Sequence, residues 1–284
     1  MQFERPIPSQ FHCGKYQLDL SRAHVMGIVN VTPDSFSDGG RFASTNLAIE
    51  YAHRLIEEGA DILDIGGEST RPGAIPVSLE EELDRVIPVI QALSKQTSVP
   101  LSIDTYKPEV MRLAITAGAD IVNDVRALQE DGALEVVAKS HAGVCLMHMQ
   151  GNPQTMQIDP QYDDVIKEVS QFLIERLKIA EQAGINKERI LLDPGFGFGK
   201  RTAHNVALIQ NLDKLAAIGQ PLLVGLSRKS VLGAITGGDE QQRVHAGLAA
   251  AVISAMKGAK ILRVHDVKAT VDALKVVSAI QNNI

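Results

Sequence analysis

Nine polar residues of this sequence stand where short apolar runs end: Asn30, Asp64, Asp104, Asn123, His148, Asp193, Lys229, Arg263 and His265. Gathered at one opening, they form a ring of carboxamides, carboxylates and cations. The oxygen of the Asn30 amide suits a hard cation such as Mg2+, provided that substrate phosphates and waters complete the shell. Ser227-Arg228-Lys229-Ser230 places two cations at the start of a short helix, where anions are normally preferred, so a bound anion is indicated. Arg263-Val264-His265 suits phosphate for the same reason of charge. His265 alone would read as a capped core histidine; beside Arg263, phosphate binding is the better reading. Gly66 to Gly73 (G-G-E-S-T-R-P-G) breaks an apolar run into a polar, glycine-rich loop. Gly195 to Lys200 (G-F-G-F-G-K) is one residue short of a nucleotide P-loop, and Arg201 stands where Ser or Thr is required. Its glycines instead suit close approach of backbone to a flat ligand, with Phe198 as one wall. Asp34, Ser35 and Asp38 serve equally well as loop caps.

The elements that must position these groups follow from periodicity. Eight apolar runs alternate with helical segments: Val25 to Val29, Ile62 to Ile65, Leu101 to Ile103, Ile121-Val122, Val144 to Met147, Ile190 to Leu192, Leu222 to Val224 and Ile261-Leu262. Helices are expected over Thr45–Glu58, from a Ser78-x-x-Glu81 capping box, from Pro108 to Ala117, and over Asp131–Lys139, Asp163–Ala183, Ala203–Ala217, Glu240–Lys257 and Val267–Ile280. Eight strand–helix alternations in 284 residues point to a single-domain (β/α)8 barrel. An open doubly wound sheet needs no eighth unit, and the dinucleotide glycine pattern is missing after the first run. Residues 1–22 read as an extension with a short β-hairpin, its alternation clearest over Tyr16–Leu20. Barrel enzymes carry their chemistry at the C-terminal ends of the strands, which is where the nine polar residues fall.

A net charge of −6 and the lack of a Lys/Arg run argue against nucleic acid as partner. Two cysteines, Cys13 and Cys145, make neither a disulfide framework nor a zinc pattern, which favours a cytoplasmic setting. The best apolar stretch, Leu248 to Met256, is too short to span a membrane.

Taken in order, N-V-T-P-D-S-F-S-D-G-G, L-D-I-G-G-E-S-T-R-P-G, S-I-D-T-Y-K-P, I-V-N-D-V, L-M-H-M-Q-G, D-P-G-F-G-F-G-K, S-R-K-S and R-V-H-D-V resemble the dihydropteroate synthase family, from Asn30 to Val267. Tyr106 is a mild departure, standing where a smaller residue, usually serine, is expected. The resemblance implies condensation of 6-hydroxymethyl-7,8-dihydropterin diphosphate with 4-aminobenzoate. It implies that Thr70, Asp104, Asn123, Met147, Asp193, Lys229, Arg263, Val264 and His265 bind the pterin diphosphate. Phe36, Ser69, Thr70, Arg71, Pro72, Phe198, Lys229 and Ser230 would shape the aminobenzoate site. Lys229, Arg71 and Asp104 would be catalytic, and Asn30 would hold Mg2+. It further implies sulfonamide inhibition and a homodimer, formed through alanine-rich outer helices such as Ala246 to Ala255. Asp64 receives no chemical role. A corrinoid methyltransferase would share Asp104, Asn123 and Asp193 but leaves S-T-R-P-G and S-R-K-S unexplained.

Overall fold

The computed structural model describes residues 7–32, 40–71, 73–239 and 241–281. A hairpin comes first, from β1 (Gln10–Cys13) and antiparallel β2 (Tyr16–Asp19). Eight parallel strands follow: β3 (His24–Asn30), β4 (Ile62–Gly66), β5 (Leu101–Asp104), β6 (Ile121–Asp124), β7 (Gly143–Met147), β8 (Ile190–Asp193), β9 (Leu222–Val224) and β10 (Ala259–Val264). They pair in chain order, and β10 closes on β3 to make a barrel. Every expected run is one of these strands.

Alternation along the strands divides the core in two. Val25, Leu63, Ile65, Ile103, Val122, Leu146, Leu192, Val224 and Leu262 face outward and pack in one cluster with the apolar stripes of the helices. Met26, Ile62, Ile121, Cys145, Leu191, Leu223 and Ile261 face inward and meet Phe11, Cys13 and Leu20 of the hairpin segment. The hairpin is thus a plug for the lower end of the barrel. Gly143 is needed there, because a Cβ on it would lie 2.5 Å from the Phe11 ring. With one end sealed by apolar side chains, the polar ends of the strands open only at the other.

The helices are α1 (Gly40–Glu57), α2 (Leu79–Gln96), α3 (Pro108–Ala117), α4 (Ala133–Ala138), α5 (Val165–Gln182), α6 (Thr202–Gln210), α7 (Leu212–Ala216), α8 (Ser230–Thr236), α9 (Val244–Met256) and α10 (Val267–Gln281). Ser78 caps α2 by accepting from the Glu81 N–H at 3.1 Å. Glu81 spends its carboxylate on Arg85 instead of completing the expected box. The single helix expected over 203–217 is two, because the backbone leaves helical geometry at Asn211 (φ −113°, ψ 25°), where its side chain donates to the Ala207 carbonyl at 2.8 Å. A 3-10 turn, Gln241–Arg243, precedes α9. Among the described residues no helix is long and apolar enough to cross a membrane.

Candidate active site

Strand register brings Asn30, Gly66, Asp104 and Asn123 into one row, since Asn30 pairs with Gly66, Gly66 with Asp104 and Asp104 with Asn123. Met147 pairs with Asp193 on the far wall. Arg263 of β10 reaches across the mouth, its Nε 2.6 Å from Asp64 Oδ2 and one terminal nitrogen 2.6 Å from Asp104 Oδ2. Asn123 Nδ2 donates to Asp64 Oδ2 at 3.1 Å. Asp64 is fully buried, so the residue left without a role is the floor that holds Arg263 and Asn123 in place. One guanidinium between two carboxylates leaves a surplus negative charge. Burial, reinforced by Asp64, raises the Asp104 carboxyl to about 7 against the pull of Arg263. Burial likewise raises Asp193. Among the described residues, Asp64 Oδ1 and Asp104 Oδ1 are buried and accept no hydrogen bond. Such acceptors are costly unless a ligand supplies donors.

Two lysine amines follow the neighbouring strands β8 and β9. Burial lowers Lys229 to about 8, opposed by the nearby carboxylates. Its Nζ donates to the Phe196 carbonyl and lies 4.5 Å from the centroid of the Phe198 ring. Lys200, 3% exposed, turns back into its own loop and donates to the carbonyls of Gly195 at 2.9 Å and Phe198 at 3.0 Å. It also lies 2.9 Å from His148 Nδ1. The loop is therefore moulded around the buried Lys200 amine, which burial lowers well below the usual lysine range, and does not cradle a phosphate. Gly195 has φ +67°, and a Cβ there would stand 1.8 Å from the His148 carbonyl; only glycine fits. Asp193 Oδ1 accepts the Gly195 N–H at 2.7 Å. Phe198 and Met147 pack together with Val125 and Met156, with Tyr106 against them. This apolar patch faces the carboxylates across the cup.

Such a barrel mouth, with buried acceptors at the strand ends, an apolar cluster that includes Met147 and Phe198, and the cations Lys229 and Arg263 among them, suits a flat, donor-rich ring with an anionic tail. A family model described as "pterin binding enzyme" matches residues 26–265. The chain belongs to the pterin-binding enzymes. Within that family it is 56% identical over 262 residues to the dihydropteroate synthase of Escherichia coli strain K12, covering 92% of this chain and 93% of that protein. The Yersinia pestis dihydropteroate synthase, solved in complex with a sulfonamide drug, superposes with a TM-score of 0.92 at 51% identity, covering 96% of this chain and 99% of the other. The Xanthomonas albilineans dihydropteroate synthase, solved with 4-aminobenzoic acid, gives 0.91 at 56% identity, covering 96% and 98%.

In this pterin-binding enzyme most of the expected site residues converge, and the exceptions have plain causes. Val264 stands between Arg263 and His265 with its side chain in the outer cluster beneath the helices, which leaves its backbone as the part that can face a ligand. Adjacent strand residues face opposite sides, so inward Arg263 forces Val264 outward, and the parity was readable in advance. His265 lies one residue beyond β10, and its Nδ1 and backbone N–H both lie 3.1 Å from Ser227 Oγ. Burial and the cations Arg263, Arg228 and Arg71 bring its imidazole down to about 3. Arg71 thus belongs to the same electrostatic neighbourhood, on an exposed turn with Ser69 and Thr70 beside it. Ser230 is exposed at the first residue of α8. Phe36 and Pro72 lie outside the described residues. His148 is structural, buried against Phe172 with ring centroids 5.0 Å apart. Lys200 escaped the sequence reading because nothing local says which way its side chain turns.

Asn30 Oδ1 and Asp104 Oδ2 lie 3.9 and 3.8 Å from where a Cβ on Gly66 would be, so the missing side chain keeps space between them. Among the described residues no group of three His, Cys, Asp or Glu side chains could hold a metal. The donor set fits an ion completed by phosphate oxygens, as Mg2+ commonly is.

Proposed function

We infer that this chain joins 6-hydroxymethyl-7,8-dihydropterin diphosphate to 4-aminobenzoate, forming 7,8-dihydropteroate and releasing diphosphate. The observation that carries this reading is the set of buried strand-end groups Asp104, Asn123 and Asp193, with Asp104 Oδ1 left without a partner among the described residues while Oδ2 is tied to Arg263. A pterin edge offers a row of N–H donors and one carbonyl. In this reading Asp104, Asn123 and Asp193 accept and orient the ring, and Lys229 donates to its carbonyl. Met147 packs against the ring, and Arg263 lies over its face. The diphosphate then extends toward Asn30, Thr70, Arg263 and His265. Burial and the neighbouring cations hold the His265 imidazole down to about 3, and an anion beside it would raise it.

Bond breaking takes place at the CH2 between the ring and diphosphate. The C–O bond opens, the leaving oxygen carries away its electron pair, and the electron-rich ring stabilises the resulting cation. Asp104 lies close enough to the ring to stabilise that positive charge. The aminobenzoate nitrogen closes the new C–N bond and loses a proton to water. An arylamine already in place needs no strong base. Phe198, Ser69, Thr70, Arg71, Lys229 and Ser230 hold it, and the exposed Arg71 covers the reacting carbon from water. Phe36 and Pro72 belong to the same proposed subsite. Mg2+, held by Asn30 and the substrate phosphates, would supply charge for the departing diphosphate.

Diphosphate release that requires both substrates, and that a sulfonamide suppresses, tests the reaction. A methyltransferase would release none, and a non-catalytic pterin binder would bind without turnover. Arg71→Ala is expected to lower turnover while pterin diphosphate still binds. A homodimer is proposed through α9 and α10, which expose Ile253, Met256, Val276 and Ile280; light scattering on Ile253→Asp checks it. The proposed setting is the cytoplasm, where such a phosphorylated substrate is retained.

A further inference from the structure

Ser69, Thr70 and Arg71 hang on a loop that leaves β4 after Gly66 and rejoins regular structure at Ser78, the cap of α2. Both ends of that loop meet one side chain. Lys107, three residues beyond Asp104, donates from its Nζ to Glu68 Oε2 at 2.6 Å, at the upstream end. The same nitrogen donates to the Val77 carbonyl at 2.7 Å, at the downstream end. Its third proton goes to Glu82 Oε2 at 2.5 Å, on a carboxylate that is fully buried within α2. An ammonium has three donors, and all three are used. Next to it, the Tyr106 hydroxyl donates to Glu68 Oε1 at 3.3 Å, while the ring of Tyr106 packs against the cluster containing Met147 and Phe198. Arg85 adds a bond to the Gly67 carbonyl at 2.6 Å. None of these groups lies in the proposed substrate contacts.

We propose that Lys107 is a positioning residue for the condensation: it pins both ends of the 69–76 loop to the outlet of β5 and so sets where Thr70 and Arg71 stand against the second substrate. The role rests on the reaction inferred above. Two carboxylates and a carbonyl from three chain segments converge on one nitrogen, and the segment between the pinned ends carries the aminobenzoate residues. Tyr106, the departure from the expected serine, extends the same tie to the ring-binding wall. A lysine that merely neutralised Glu82 would have no reason to hold Val77 and Glu68 as well.

The test is Lys107→Met combined with Glu82→Gln, which removes the tie while leaving α2 without an unpaired buried charge. Its aminobenzoate KM should rise and its kcat fall, each by ~10-fold or more, as expected for misplaced binding groups. Calorimetric affinity for the hydroxymethyl pterin without its diphosphate should stay within ~2-fold, because that ring is held by groups off the loop. Amide exchange at Ser69, Thr70 and Arg71 should quicken, and Lys107→Arg should recover most of the lost kcat. A folded double variant with wild-type constants, or one that loses pterin affinity in parallel, overturns the role. If the double variant fails to fold, Glu68→Gln keeps the Lys107–Glu82 pair and should still raise the aminobenzoate KM by ~3-fold; an unchanged KM overturns the role equally. Wild-type protein that releases no diphosphate would sink the reaction itself and this role with it, whereas normal wild-type turnover beside unaffected variants sinks the role alone.

Discussion

Replacing Asp104 by Asn should make the empty protein more stable at alkaline pH while weakening its hold on the pterin. Burial, and Asp64 on the other side of Arg263, raise the Asp104 carboxyl from 3.8 to about 7. At about 1.4 kcal/mol per pH unit, ionising that group in the folded protein costs roughly 4 kcal/mol more than in the unfolded chain. The sign follows from proton counts. Below the unfolded value both states hold the proton, and between that value and about 7 only the folded state does. The protein therefore loses stability as pH rises through this window. The Asn variant has no proton to lose there, and its amide oxygen can still accept from Arg263. Local relaxation trims the effect, so stability relative to wild type should swing in favour of the variant by about 2–4 kcal/mol between pH 4.5 and pH 8. Urea unfolding at the two pH values measures it. Calorimetry at the higher pH should show pterin binding weakened by roughly 10- to 150-fold, the equivalent of about 1.5–3 kcal/mol for a lost bond to a charged acceptor. A stability difference that is the same at both pH values would mean that Asp104 ionises as readily folded as unfolded, and the argument for a strained, ligand-hungry carboxylate would fail.

Asp193→Ala removes an acceptor and frees the Gly195 N–H, so pterin affinity should fall by ~100-fold or more by calorimetry; unaltered affinity would remove Asp193 from the pterin site. Lys229 is brought down to about 8, so kcat/KM should decline as pH climbs through that value and the ammonium is lost. Lys229→Arg stays charged and should abolish that alkaline limb, and a limb that persists in this variant would assign it to another group. Gly195→Ala forces a Cβ into the His148 carbonyl at a positive φ, and thermal denaturation should show at least ~2 kcal/mol of lost stability together with lower turnover.

How much of this was legible beforehand differs from residue to residue. The barrel was, because each strand is a short apolar run with its own ending, and eight of them leave few other ways to bury their faces. The ring of polar endings was legible for the same reason, as Asn30, Asp104, Asn123, Asp193 and Arg263 all show. Asp64 looked like one more acid in an apolar run; its part became visible only with Arg263 beside it, 199 positions away in the chain. Lys200 and Lys107 are charged residues of the kind that usually face water, and no local pattern reveals that each turns inward onto carbonyls or carboxylates. The break at Asn211 is one residue of non-helical backbone inside an otherwise helical stretch, too local for periodicity to show.

From its residues alone this chain determined eight strands, a short N-terminal hairpin and the chemical character of the strand ends, since alternation, capping and glycine placement act over a few neighbouring residues. Only tertiary packing decided which charges share a partner. A guanidinium held between Asp64 and Asp104 needs the barrel closed, with the last strand brought beside the first. An ammonium joining Glu68, Val77 and Glu82 needs β4, α2 and β5 packed side by side. The strength of both comes from burial and from distances of a few ångströms, and neither exists in the unfolded chain.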